Sequence, residues 1–211
     1  MIPKTIHQVW IGDQSKRPTE LLNSIKEMNP SWEYKLWTED NLPELQLQHL
    51  IDAVPHNDNS AKCDLIRYEL LYKYGGFYVD ADSIAVKPFP DWLLDNDSFA
   101  CWDNEFILPG YIANGYMGAT KENALMKTLM DVFLEEGVEY IERMERGAAA
   151  NHVGPWILTD LVLHRMKYRP LTIYPSHYFI PTHASGVNSS YKNHTFTDHL
   201  GGSTAAAPFT Y

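Results

Sequence analysis

Apolar and polar positions along the chain first mark a strand. Thr5-Ile6-His7-Gln8-Val9-Trp10-Ile11 is dominated by β-branched and aromatic residues and closes at Gly12-Asp13. Pro18 opens a helical stretch that runs to about Met28 and ends at Asn29-Pro30. Trp32 to Trp37 reads as a second strand, and Thr38-Glu39-Asp40 starts a short helix. This β-α-β-α alternation is the pattern of a sheet with crossover helices. Asp58-Asn59-Ser60 supplies capping oxygens for a strong helix over Ala61 to Tyr74, and Gly75-Gly76 ends it.

Phe77-Tyr78-Val79 is a short apolar strand that runs straight into Asp80-Ala81-Asp82. Ser83 to Val86 stays extended until Pro88 and Pro90 break it. Ser98 to Trp102 and Tyr111 to Gly118 read as further strands. Leu125, Leu129, Val132 and Phe133 line one face of a helix over Lys121 to Glu136. More helices are predicted from Gly137 to Glu145 and from Gly154-Pro155 to about Met166. Leu171 to Tyr174 is a late strand, and Pro175 to Tyr211 reads as loops. No internal repeat or Gly/Ser linker interrupts the pattern, so a single α/β domain over 1–211 is expected.

Composition narrows the function. Lys and Arg total 17 against 27 Asp and Glu, a formal net charge of −10, which disfavours both a phosphate-tracking nucleic-acid binder and a polybasic membrane-surface protein. Aromatics reach 13%, enough to permit stacking platforms for sugars or bases, though packing uses the same residues. Met1 to Trp10 lacks a secretory apolar core, and no stretch approaches the ~18 apolar residues of a membrane span. Cys63 and Cys101 fit neither a disulfide framework nor a zinc motif, so free thiols are expected. A soluble, cytoplasmic protein without a membrane span is the resulting expectation.

The candidate chemistry begins at the end of the Phe77–Val79 strand. Asp80 and Asp82 stand at i and i+2, so a regular strand brings both carboxylates to one face. The C-terminal edge of a strand is where open α/β sheets bind ligands. Two hard oxygen donors suit Mn²⁺ or Mg²⁺, which neutralises a diphosphate leaving group. The alternative is a solvated turn after an edge strand. Asp64 and Arg67 share a helix face at i and i+3, which by itself fits a surface ion pair. His7 lies inside the first strand and reads as structural.

Context favours the ligand. The run from Ala61 through Gly75-Gly76-Phe77-Tyr78-Val79-Asp80-Ala81-Asp82 closely resembles the signature of the DXD-containing sugar transferases. Ile2 to Gly12 resembles that family's first strand and Asn29 to Thr38 its second, together covering about the first 90 residues. The resemblance implies a GT-A fold, a Rossmann-like nucleotide-binding mixed sheet flanked by helices with a loop-rich C-terminal part. Residues 1–90 would then form the nucleotide-sugar part and 91–211 the acceptor side.

On this resemblance Asp80 and Asp82 hold the metal, with Asp80 also near the ribose and donor sugar, and Asp64 and Arg67 contact that sugar. Backbone groups around Gln8, Val9 and Trp10 bracket base and ribose, with Trp10 either stacking on the base or buried in the core. Asn114-Gly115-Tyr116-Met117-Gly118-Ala119 is similar to a small-residue strand that carries an Asn near the donor sugar. Asp103 and Glu105 follow a strand and could face the acceptor, where an inverting reaction needs a general base. Gly154 to Thr159 and Pro175 to Pro181 resemble later family segments. His199 stands where a C-terminal loop completes the metal shell, with Asp198 and Ser203 as further candidates. Family members often follow that Ser with Trp, whereas Thr204 follows Ser203 here.

The implied reaction moves a hexose from a nucleotide-diphosphate sugar, UDP-glucose or a related UDP-sugar, to a hydroxyl of a glycan or glycoprotein, with retention as the default. A haloacid-dehalogenase-type phosphatase also has an apolar strand ending in D-x-D. It expects Thr or Val two residues beyond the second Asp, where Ile84 stands. An inactive carbohydrate-binding module is the third reading, opposed by the joint presence of Asp64, Arg67, Asp80 and Asp82.

Overall fold

A computed structural model describes residues 1–145, 148–166, 171–183, 185–188 and 194–200. The strands are β1 (Thr5–Val9), β2 (Glu33–Trp37), β3 (Gly76–Val79), β4 (Ser83–Ala85), β5 (Ser98–Asn104), β6 (Leu108–Ala119), β7 (Thr172–Tyr174) and β8 (Thr197–His199). Six of them form one sheet in the order β2-β1-β3-β6-β5-β7, and β4 pairs with β8 in a second, two-stranded ladder. In the large sheet β6 runs antiparallel to both its neighbours, β3 and β5, while the other pairings are parallel. Parallel pairing requires crossovers, and the helices supply them. They are α1 (Thr19–Met28), α2 (Gln48–Ala53), α3 (Asn59–Tyr74), α4 (Ala124–Glu142), α5 (Ala149–His152) and α6 (Pro155–Asp160).

Apolar residues fill both faces of the sheet. On one face α2 to α6 pack through Leu65, Leu129, Phe133 and Leu158. On the other, Ile6, Ile25, Phe77, Phe99, Tyr116 and Phe179 form an aromatic-rich cluster beneath α1 and the late segments. The ends of α3 explain where the acidic motif falls. Asp58 caps its start by accepting from the Ala61 N–H, and Gly75 ends it at φ 65°. A Cβ on Gly76 would lie 2.7 Å from His7 Nε2 and from the Thr5 carbonyl, so only glycine lets β3 approach β1 directly after the helix.

His7 joins three elements there. Its Nδ1 accepts from Trp37 Nε1 at 3.0 Å and its Nε2 donates to the Gly75 carbonyl at 2.8 Å. Both contacts match the neutral ring, and burial pushes its pKa down to about 4. Its structural part is the one expected.

Several boundaries differ from the sequence reading. No helix starts at Thr38; the Asn41 side chain accepts from the Thr38 N–H in a turn, and Pro43 precedes the helix that forms at Gln48. The helices expected over 121–136 and 137–145 meet inside α4, where Gly137 adopts a non-helical φ of 75°. The helix expected to reach Met166 is regular only to Asp160 and continues as a π-turn over Leu161–Arg165. The stretch read as loops contains β8, held by its ladder to β4. Cys63 and Cys101 are free thiols, as expected.

Candidate active site

Asp64 and Arg67 are not a surface pair. Their side chains are 5% and 4% exposed, with Arg67 Nη2 2.8 Å from Asp64 Oδ1. The same nitrogen is 3.2 Å from Asp80 Oδ1, and Nη1 donates to the Asn114 carbonyl at 2.6 Å. The guanidinium lies over the Tyr78 ring, 4.4 Å from its centroid. Asn114 Nδ2 donates to Asp64 Oδ1 at 2.9 Å and to Tyr68 Oη at 3.0 Å. One arginine fork therefore ties α3, the end of β3 and the middle of β6 together.

Electrostatics follow from that fork. Burial alone would raise the Asp80 carboxyl, but Arg67 and then His199 hold it down at about 2. Burial, reinforced by the Asp80 charge, raises Asp64 to about 6 against the pull of Arg67 and Asn114. Burial would lower His199, yet the carboxylates of Asp82 and Asp80 raise it to about 10.

The motif's backbone is held as well. The Asp80 N–H donates to the Gly115 carbonyl at 2.9 Å. Gln8 Nε2 donates to the Asp80 carbonyl at 3.2 Å, and Tyr34 Oη donates to Gln8 Oε1 at 2.8 Å. The β4–β8 ladder sets Ser83 opposite His199, and the Leu200 N–H donates to the Asp82 carbonyl at 3.0 Å. His199 Nε2 consequently stands 3.1 Å from Asp82 Oδ1 and 3.7 Å from Asp80 Oδ2. Ligand atoms of Asp80, Asp82 and His199 all lie within 4.8 Å of one another. Two carboxylate oxygens and one imidazole nitrogen form a donor set that fits one divalent ion.

The structure thus brings together Gln8, Asp64, Arg67, Asp80, Asp82, Asn114 and His199. It separates others. The Val9 side chain is in the core, and Trp10, half-buried, donates from Nε1 to the Asp13 carbonyl at 3.2 Å. Asp103 pairs with His183 Nε2 at 3.3 Å rather than with the cluster. Glu105 accepts from both the backbone N–H and the hydroxyl of Ser176. Asp198 Oδ2 accepts from Thr182 Oγ1 at 3.3 Å, and its Oδ1 is buried without a partner among the described residues. Ser203 lies outside the described residues. Tyr68 was missed in the sequence, although its i+4 spacing from Asp64 places it on the same helix face.

Residues 15–100 match the family model described as "Glycosyltransferase sugar-binding region containing DXD motif". This segment is therefore similar to the sugar-binding region of DXD-motif glycosyltransferases. It contains Asp64, Arg67, Asp80 and Asp82, whereas Asn114 and His199 come from beyond it. Among curated relatives, inositol phosphoceramide mannosyltransferase 3 of Schizosaccharomyces pombe is 33% identical over 127 residues, 57% of this chain and 34% of that protein. The chain therefore spans about a third of that relative's length.

Solved structures confirm the GT-A glycosyltransferase fold. The PaToxG glycosyltransferase superposes with a TM-score of 0.60 at 18% identity, covering 78% of this chain and 70% of that one. The UDP-bound glycosyltransferase domain of the YGT toxin gives a TM-score of 0.56 at 10% identity, covering 97% and 82%. No helix among the described residues is long and apolar enough to cross a membrane.

Proposed function

We propose that this chain is a metal-dependent glycosyltransferase that moves a hexose from a nucleotide-diphosphate sugar to a hydroxyl of a glycan or glycoprotein. A UDP-sugar, UDP-glucose first, is the favoured donor, and retention is the favoured outcome. The convergence of Asp80, Asp82 and His199 beside the buried Asp64–Arg67–Asn114 group carries this reading. The UDP reported in the YGT toxin domain supports the choice of nucleotide. Residues 1–90 would supply the donor side and 91–211 the acceptor side of one domain.

Asp80, Asp82 and His199 would hold Mn²⁺ or Mg²⁺, which when bound offsets the diphosphate charge and eases its departure. The remaining roles belong to the chain. Arg67, fixed by Asp64, Asp80 and the Asn114 carbonyl, keeps Asp80 ionised and oriented. Asp64 and Asn114 present hydrogen-bonding groups to hydroxyls of the donor sugar. Gln8, clamped between Tyr34 and the Asp80 carbonyl, carries Val9 and Trp10 at the end of β1, where base and ribose would lie.

Calorimetric titration of UDP, GDP, UDP-glucose and GDP-mannose, each with and without Mn²⁺, tests the reading. Binding of the UDP compounds only with metal is expected, and equal heats in both conditions overturn it. Asp82→Ala should abolish metal-dependent donor hydrolysis while leaving the melting transition in place, because its carboxylate serves the site and not the core.

A further inference from the structure

Asp103, at the end of β5, stands apart from the Asp64–Arg67–Asp80 group and has a built environment of its own. Its Oδ2 lies 3.3 Å from His183 Nε2, and the two side chains are 26% and 14% exposed. The other ring nitrogen of His183, Nδ1, accepts from the Ser185 backbone N–H at 3.1 Å and lies 2.8 Å from the Ser185 hydroxyl. A ring nitrogen that accepts carries no proton, so the proton of the neutral imidazole sits on Nε2, facing Asp103. The backbone thereby fixes the tautomer.

The turn that carries His183 is itself closed. The His183 N–H donates to the Val187 carbonyl and the Gly186 N–H to the His183 carbonyl, both at 2.8 Å. Thr182 forms an isolated bridge with Asn188 and donates from Oγ1 to Asp198, the neighbour of His199. One turn therefore reaches from Asp103 to the residue beside the proposed metal ligand.

His183 occupies Oδ2 of Asp103, so Oδ1 is the oxygen this contact does not use. Its surroundings connect to the site. After burial, the charges acting on Asp103 are His183 and then His199. After burial, Asp103 and then Asp64 are also the charges that raise the half-buried Tyr111 phenol.

We propose that Asp103 accepts the hydrogen bond of the incoming hydroxyl, a sugar or polyol hydroxyl or water in its absence, and that His183 is the positioning residue that aims it. The assignment rests on the glycosyl-transfer reading and adds an acceptor subsite to it. A carboxylate turned by its neighbour presents one oxygen to the ligand and keeps the other occupied, which fixes direction as well as charge.

The test uses the full chain with Mn²⁺, water as the acceptor probe, and whichever of UDP-glucose, UDP-galactose and GDP-mannose the parent hydrolyses. Asp103→Asn and His183→Ala should lower the hydrolytic kcat by about 100-fold, the scale of lost positioning, with Mn²⁺–UDP affinity within about 2-fold of the parent. His183→Gln keeps an N–H directed at Asp103 and should recover most of the loss. Hydrolysis unchanged in Asp103→Asn, equal losses of UDP affinity and kcat, or no advantage of Gln over Ala at position 183 overturns the subsite. A parent that hydrolyses none of the donors overturns the function reading itself, and the subsite with it.

Discussion

Arg67 Nη2 lies 3.2 Å from Asp80 Oδ1 while the same nitrogen holds Asp64 at 2.8 Å. One buried cation thus serves two carboxylates on different elements. Removing it strands Asp64, which is almost wholly enclosed. Arg67→Met should cost about 3–5 kcal/mol, the usual loss when one partner of a buried ion pair is deleted. In a chain of this length that lowers the melting temperature by roughly 10 °C. Adding Asp64→Asn should return part of the loss, because the amide needs no counter-charge. Thermal melts of the single and double variants give the coupling, and strict additivity would refute it.

Gly115 offers a sharper separation of site from fold. A Cβ there would sit 2.3 Å from Asp80 Oδ2, so the carboxylate must move. A side-chain end is cheap to displace, and Gly115 is not among the positive-φ glycines. Gly115→Ala should therefore melt within a few degrees of the parent yet weaken Mn²⁺-dependent UDP binding by at least about 10-fold, in line with perturbed ligand orientation. Gly118→Ala is the contrast, since its Cβ would meet the buried Phe99 ring at 2.0 Å. It should unfold at markedly lower temperature. Paired melting and calorimetry on both variants check the distinction; equal melting losses would remove it.

Much of this arrangement was legible in the sequence because local signals and global fold agree there. The Asp58 cap, the apolar positions of α3 and the Gly75-Gly76 stop place Asp80 at a strand end. The resemblance covered the same run. Long-range partnerships were not legible. Ser176 takes Glu105 across 71 positions, and the alternation that exposes Glu105 to view says nothing of its partner. β8 is only Thr197–His199, too short for a period to register, and exists through its ladder with β4. His183 sits in a Ser/Thr/Gly-rich turn whose composition conceals its contact with Asp103. The misplaced helix at Thr38 has a similar cause: Thr-Glu-Asp serves a cap and a turn equally, and the Asn41 side chain decided for the turn.

His7 should make the fold acid-sensitive in a defined window. Its pKa falls from 6.5 to about 4 on burial, so the unfolded chain binds a proton that the folded chain refuses. Stability from the neutral ring is complete above about pH 6.5 and is lost as pH falls toward 4, amounting to about 3 kcal/mol at ~1.4 kcal/mol per unit. His7→Gln forfeits some of the bridging between Trp37 and Gly75 but has no proton to take up. Urea midpoints from pH 7 to pH 4 should fall more steeply for the parent than for His7→Gln. Parallel slopes would show that His7 does not carry this dependence.

Metal choice should depend on His199. Its ring packs edge-on against Tyr116 and points Nε2 at Asp82 and Asp80, so the imidazole is aimed before any ion arrives. Carboxylates alone distinguish Mn²⁺ from Mg²⁺ weakly, whereas an imidazole nitrogen favours Mn²⁺. His199→Ala should weaken Mn²⁺ binding by at least about 10-fold and Mg²⁺ binding by much less, because Mg²⁺ binds chiefly through oxygens and retained waters. Calorimetric titration of both ions into parent and variant, in the presence of UDP, gives the ratio directly. A ratio that stays at the parent value would take His199 out of the metal set and leave it as the cation that pairs Asp82 with Asp80. Asp82→Asn, by contrast, should weaken both ions, since an amide oxygen is the poorer donor for either.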